Sequence, residues 1–264
     1  MIDTGRIVAV TGASSGIGLT AARLFRDRGD KVYCLSRTDP KEPGITFIHT
    51  DVTDEASVNA AFGAIGKAEG RIDVLLSNAG IGVSGAAECT TMQDAKRQLD
   101  VNFFGLHACV RAAVPLMRAH GGTILATSSV AAVFAIPFQA FYSASKFAVN
   151  ALVLALANEL KPFNIRVAAI MPGDVKTGFT GARIKAEDDD NYGQSVEKSV
   201  AVMERDEQNG MGPEMIAKKF VALSLKKHPK VLSTVGLQYK FFCFLGKVLP
   251  IRLQNFIVGK MYIK

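Results

Sequence analysis

Short runs of consecutive apolar residues alternate along this chain with longer stretches in which apolar residues recur every three or four positions. A continuous apolar run fits a strand buried on both faces, and the longer spacing fits a helix with one covered face. Arg6–Val10, Lys31–Leu35, Ile45–His49, Ile72–Leu76, Thr123–Ala126 and Ile165–Ile170 are the predicted strands. Leu19–Arg28, Val58–Ile65, a long segment from Asp94 to His120, and Phe147–Leu160 are the predicted helices. Strands alternating with helices predict an α/β fold, a doubly wound parallel sheet of about seven strands with helices on both faces. The chain has 264 residues, 48% of them apolar, and no long charged or low-complexity linker, so a single domain over 1–264 is expected.

Ligands of such sheets sit beyond the carboxyl ends of the strands, so the residues that follow each run matter most. The first strand runs into Thr11-Gly12-Ala13-Ser14-Ser15-Gly16-Ile17-Gly18 and then a helix. Glycines let backbone approach a pyrophosphate, and a first helical turn offers free N–H groups at its positive dipole end. The same arrangement is also an ordinary strand-to-helix connection; read as a Rossmann-like dinucleotide site, its contacts are Gly12, Ser14, Ser15, Gly16, Ile17 and Gly18. The second strand closes on Ser36-Arg37. An acidic residue there would hold both ribose hydroxyls and repel a 2′-phosphate, whereas the planar fork of Arg37 suits phosphate. NADP(H) is therefore preferred, with NAD(H) as the alternative because Asp39 is near. Asp51 and Val52 end the third strand where an adenine amino group could be met, and the small residues of Asn78-Ala79-Gly80 let backbone come close to a ligand after the fourth.

Tyr142 and Lys146, four apart on a helix, project from one face, so a phenol and an ammonium share one small site. A free phenol titrates at about 10, and lowering it by about three units asks for roughly 4 kcal/mol, which a close cation in a water-poor pocket helps to supply. Such a pair also occurs on solvated helix faces. The fifth strand delivers Thr127-Ser128-Ser129 to the same edge, and Asn102 is a polar residue among apolar neighbours, a pattern usually explained by a side chain that ties down a backbone group.

Taken together, TGASSGIG at 11–18, DV at 51–52, NAG at 78–80, Asn102, Ser129, YSASK at 142–146, and Pro172-Gly173 followed by Thr177 resemble the motif set of the ~250-residue short-chain dehydrogenases/reductases, over residues 5–180. The resemblance implies Tyr142 as general acid in reduction and general base in oxidation, and Lys146 binding the nicotinamide ribose while lowering the tyrosine pKa. It implies Ser129, 13 residues before Tyr142, orienting the substrate carbonyl, and Asn102 holding a water that relays protons. Pro172, Gly173 and Thr177 would meet the cofactor, with Thr177 on the carboxamide. It further implies a homodimer or homotetramer built on Phe147–Leu160 and the preceding helix, and a variable substrate lid over about 174–214. Ser15 stands where many NADP-preferring members carry Lys or Arg, which leaves Arg37 alone to carry that preference.

Phe134, Ile136, Phe138 and Phe179 flank these motifs and predict an apolar pocket. With the segment SSVAAVFAIPFQAFYSASKFAV they are similar to the hydroxysteroid and retinol dehydrogenase branch, so the expected substrate is a bulky apolar secondary alcohol or its ketone. A 3-oxoacyl-carrier-protein reductase is the alternative. A non-catalytic NADP(H)-sensing protein is a reading from another class, disfavoured by the complete Asn102, Ser129, Tyr142 and Lys146 set.

Net charge is +7, yet residues 215–264 hold ten Lys or Arg and no acid, leaving 21 basic against 24 acidic residues before them. Within this tail, Tyr239–Lys264 mixes large apolar residues with five basic ones. It reads as a pair of amphipathic helices packing on the domain or, as the second choice, as a peripheral contact with an anionic membrane. No basic and aromatic nucleic-acid motif accompanies the charge. Cys34, Cys89, Cys109 and Cys243 lack metal-ligand spacing and read as reduced thiols of a cytoplasmic protein with no metal site. Met1–Gly5 carries no basic region or cleavage site, so no secretory signal is expected, and the run Glu187–Asp190 is assigned no chemistry.

Overall fold

The computed structural model describes residues 5–186 and 190–263; Met1–Thr4, Lys264 and the Glu187–Asp189 part of the charged run lie outside them. In chain order the elements are β1 (Ile7–Thr11), α1 (Gly16–Asp27), β2 (Lys31–Ser36), β3 (Ile45–His49), α2 (Glu55–Glu69), β4 (Val74–Ser77), β5 (Val83–Ser84), α3 (Met92–Leu99) and α4 (Gly105–Met117). There follow β6 (Gly122–Thr127), α5 (Ala140–Glu159), β7 (Ile165–Met171), β8 (Ile184–Lys185), α6 (Ser195–Gln208), α7 (Pro213–Ser224), β9 (Leu232–Thr234), α8 (Leu237–Val248) and α9 (Ile251–Tyr262).

Seven strands form one parallel sheet in the order β3-β2-β1-β4-β6-β7-β9. Strand β1 shows why the apolar runs are continuous: Ile7 and Ala9 enter one core, Val8 and Val10 the other. The first core packs Phe62 and Ile65 of α2, Cys109 and Met117 of α4, and Val149 and Val153 of α5; the second packs Phe25 of α1 and Phe220 of α7. The strand order reverses between β1 and β4, so a crevice opens there beyond the strand ends, the topological switch point of a Rossmann-like sheet. Helix α5 is apolar and long enough by composition to cross a bilayer, but Val149, Val153 and Leu156 put it in the core.

Three parts differ from the sequence-based expectation. The segment predicted as one helix from Asp94 to His120 is α3 and α4 joined by a π-helical turn, Asp100–Phe104, whose wider coil swings Asn102 inward. Residues 181–213 hold the helix α6 and the strand β8, which pairs with β5 in a small second sheet. The seventh main-sheet strand, β9, has only three residues and no apolar run of its own to betray it.

Candidate active site

The β1–α1 turn and the Asn78-Ala79-Gly80 turn meet at the switch point. Thr11 Oγ1 accepts from the backbone N–H groups of Asn78 and Ala79, at 3.0 and 3.1 Å, and Asn78 Nδ2 donates to Gly12 O at 3.2 Å. A Cβ on Gly12 would lie 2.7 Å from Ala79 Cα, with φ at +62°, so only glycine lets the turns approach this closely. Ser15 caps α1 through its backbone and makes no side-chain cap, which leaves the first-turn N–H groups facing the crevice. A dinucleotide pyrophosphate fits that cradle.

Around this point lies a cleft of about 1480 Å³, larger than the roughly 300–1,000 Å³ of most small-ligand pockets and so roomy enough for a dinucleotide and a second molecule. Gly12, Ser14, Ser15, Gly16 and Ile17 line it, as do Ser36, Arg37, Asp51, Val52, Asn78, Ala79 and Gly80. So do Ser129, Tyr142, Lys146, Pro172, Gly173 and Thr177. Two of the expected site residues stay behind the wall. Gly18 packs under Gly12, where a Cβ would come 2.3 Å from its carbonyl oxygen, so it joins helix to strand rather than touching a ligand. Asn102 has its amide spent on the backbone: Oδ1 accepts from Ile81 N at 2.9 Å, while Nδ2 donates to Ile81 O at 3.1 Å and Ser145 Oγ at 3.0 Å. The expected apolar wall is formed by Phe134, Ile136 and Phe179, whereas Phe138 turns away at φ +58° to stack edge-on against Tyr192.

Helix α5 carries Tyr142 and Lys146 to the middle of the cleft, and β6 delivers the serines. Ser128 is buried, with its hydroxyl toward Lys146 O, while Ser129 Oγ accepts from Ala131 N at 3.1 Å and stands near enough to the Tyr142 hydroxyl to favour its ionised form. Lys146 Nζ donates to Thr127 O at 2.9 Å and lies 5.7 Å from the centre of the Tyr142 ring. Burial pushes the Tyr142 phenol up to about 12, against the lowering influence of nearby Ser129, and burial pushes Lys146 down to about 8. The expected lowering of the tyrosine by the lysine is thus not what the protein alone produces: the ammonium sits beside the ring, and desolvation outweighs the charges nearby. At neutral pH the pair is a protonated phenol beside a protonated amine.

Several wall residues gave no sequence signal because they come from distant elements. Tyr239 of α8 lays its ring over Gly173, where a Cβ would sit 2.0 Å from the ring, and its hydroxyl donates to Asp174 Oδ2 at 2.7 Å while accepting from Asp174 N at 3.0 Å. Glu207 of α6 pairs with the buried Arg183 and accepts from Thr180 Oγ1 at 2.6 Å, tying the segment after β7 to α6 at the cleft. Gly173→Ala is expected to lower unfolding stability by about 1–3 kcal/mol, because neither backbone nor ring can yield freely. Denaturant unfolding measures this, and an unchanged midpoint would show that Tyr239 is loosely seated.

Comparison with known proteins agrees with this geometry. The short chain dehydrogenase family model matches residues 6–188. A 3-ketodihydrosphingosine reductase of Bacteroides thetaiotaomicron is 39% identical over 236 residues, 88% of each chain. Among solved structures, a short-chain dehydrogenase from Streptomyces avermitilis superposes with a TM-score of 0.86 at 26% identity, covering 98% of each chain. A 3-ketoacyl-(acyl-carrier-protein) reductase from Brucella melitensis, complexed with NADH, gives 0.74 at 26% identity over 88% of this chain and 97% of its own. A glycine cradle at the switch point, a serine and a tyrosine beside a buried lysine on the wall of the same cleft, and a family match over most of the chain make this protein a member of the short-chain dehydrogenases.

Proposed function

We propose that this protein reduces the ketone of a long-chain or similarly bulky apolar substrate to a secondary alcohol, with NADPH as reductant and Tyr142 as the proton donor. The observation that carries this reading is the composition of this cleft. Its inner half is the glycine cradle, and its outer half is walled by Phe179, Phe242, Leu245, Leu249, Ile257 and Met261. Tyr142 and Ser129 stand on the wall of the same cleft.

When bound, the dihydronicotinamide supplies the hydride. The protein's own groups do the rest. Ser129 Oγ and the Tyr142 hydroxyl converge on the carbonyl oxygen, and Tyr142 gives it a proton as the carbon is reduced. A phenol pushed up to about 12 carries its proton at neutral pH, the form in which it can act as the acid of a reduction. Lys146, anchored on Thr127 O, places its ammonium where a ribose would lie, and Asn102 holds the backbone of Ile81 and Ser145 of α5 in register. The expected water relay is kept as part of this proposal, with the Asn102 side chain in a positioning role.

NADP preference rests on Ser36 and Arg37 at the cleft wall, where no acidic residue occupies the Ser36 position. Asp39, the source of doubt, accepts from Lys41 N at 2.8 Å instead. Asp174 supports an amino ketone such as the one for which the Bacteroides relative is named. Its carboxylate lines the cleft and has no cation partner among the described residues, so an ammonium beside the ketone would compensate it. Homodimer or homotetramer formation through the exposed α5 stripe containing Phe147 and Leu154 belongs to the same reading, as does a reducing cytoplasm for its free cysteines. A carrier-protein ketoester is the second reading, favoured by the basic tail and by the Brucella structure.

The test is oxidation of NADPH and NADH by purified protein against a long-chain amino ketone, steroid ketones, retinal, a carrier-bound ketoester and a small sugar. Turnover of the amino ketone is expected, with kcat/KM for NADPH about tenfold or more above NADH. Activity on the ketoester alone selects the second reading, and turnover confined to the sugar overturns both.

A further inference from the structure

Helices α8 and α9 have two contrasting faces. The inner face is part of the cleft: Tyr239 covers Gly173, while Phe242, Leu245, Ile257 and Met261 wall the outer half. Gly246 seats α8 against Val133 and Phe134, just after Ser129, where a Cβ would come 2.4 Å from Val133. The buried Gln254 of α9 donates to Gly246 O and Leu249 O at 3.1 and 2.7 Å, so the hairpin turning at Pro250 is held as a unit.

The outer face has no cover. Of the seventeen exposed large apolar side chains among the described residues, eleven lie within 237–263; four of them, Leu237, Phe242, Ile257 and Met261, also line the cleft, and the other seven, Phe241, Phe244, Val248, Ile251, Leu253, Phe256 and Ile263, lie outside it, so the exposure is concentrated rather than scattered. On α8, Phe241, Phe244 and Val248 recur at three- and four-residue spacing, a single stripe along the helix and outside the cleft. Leu253 and Phe256 on α9 are likewise exposed, with Phe256 at 62%. Lys240, Lys247, Arg252 and Lys260 are set among these residues, and none of them forms an ion pair among the described residues. Lys240 also belongs to a wider basic patch: burial, then the charges of Lys226, Lys240 and Lys230, lower the Lys219 ammonium of α7. No acidic residue follows Glu214 in the chain, so nothing from the tail neutralises this surface.

We propose that the α8–α9 hairpin docks the protein on an anionic lipid bilayer, the apolar stripe entering the interface and the lysines meeting the headgroups. Large apolar residues interleaved with uncompensated cations are what an interfacial helix requires, since burial in the acyl boundary and attraction to anionic headgroups add. A second copy of this chain would bring the same positive charge against itself, which disfavours it as occupant. The hairpin that lies on the membrane is also the outer wall of the cleft, so a lipid-like ketone would enter from the bilayer without crossing water. Docking itself does not depend on the substrate proposed above.

Co-sedimentation of the full-length protein with phosphatidylcholine vesicles, with and without phosphatidylglycerol, tests the proposal. Binding is expected to the anionic vesicles, to weaken with salt, and to fall by about tenfold or more in the Phe241→Ser, Phe244→Ser double variant. Those two side chains lie outside the cleft, so the variant should keep its melting curve and its turnover of a water-soluble ketone. Light scattering on both proteins reads the competing occupant. Failure to bind anionic vesicles at low salt, binding undiminished in the variant, or an assembly that the variant breaks apart without vesicle binding would each overturn the proposal. Vesicle binding is read without turnover, so its failure leaves the proposed reaction standing.

Discussion

Tyr142→Phe is expected to lower kcat by about two to four orders of magnitude while leaving NADPH affinity within about threefold. The phenol oxygen is the only atom removed, and the ring remains packed at 5.9 Å from that of Phe179, so the cleft should keep its shape. What disappears is a proton donor held next to Ser129 and, at about 12, fully protonated at neutral pH. Steady-state turnover and fluorescence titration of NADPH separate the two effects. If turnover survived at the wild-type level, Tyr142 would not be the acid, and the cofactor-sensing reading would return.

Lys146→Met is expected to cost about a hundredfold or more in kcat/KM for NADPH and to change the pH profile in a defined way. Burial holds this ammonium at about 8, and kcat/KM for the cofactor reports the free protein. The wild-type value should therefore fall as pH rises past about 8 and the cation is lost, and the Met variant should lack that descending limb. Stability carries a second signature. Between about 8 and 10.5 the unfolded chain binds more protons at Lys146 than the folded one, so the cost of burying the charge is relieved as pH rises through this window. Tyr142 acts the other way: its folded value of about 12 exceeds the ordinary 10.0, so its contribution is full below 10 and is lost between 10 and 12. The Met variant should lose the first trend and keep the second when denaturant midpoints are followed against pH. Unaltered profiles would place Lys146 outside the titrating site.

The cofactor half of the cleft was legible because each part is local. A strand, a glycine turn and a helix N-terminus are consecutive in the chain, and Tyr142 and Lys146 are one helical turn apart, so spacing alone puts them on one face. Position in a motif is not the same as contact, however. Gly18 and Asn102 belong to the matching pattern, yet their neighbours in space, Gly12 O and the Ile81 backbone, put them behind the wall. Proximity likewise suggests a tyrosine lowered by the lysine, whereas the burial that raises the phenol comes from everything packed around it.

Sequence by itself determined the parallel α/β architecture, the glycine cradle, and the pairing of Tyr142 with Lys146, because these depend on continuous apolar runs, on a period of about 3.6 residues and on short-range spacing. Only the tertiary structure decided the outer half of the cleft. There Asp174, Glu207, Tyr239 and Met261 come together from a loop and three helices spread over 87 positions, and no local pattern records which face of α8 or α9 would turn inward. The tail's apolar residues were visible as composition. Their division into a buried wall around Tyr239 and Cys243 and an exposed stripe from Phe241 to Val248 follows from the seat of Gly246 on Val133 and Phe134, a contact across more than a hundred residues.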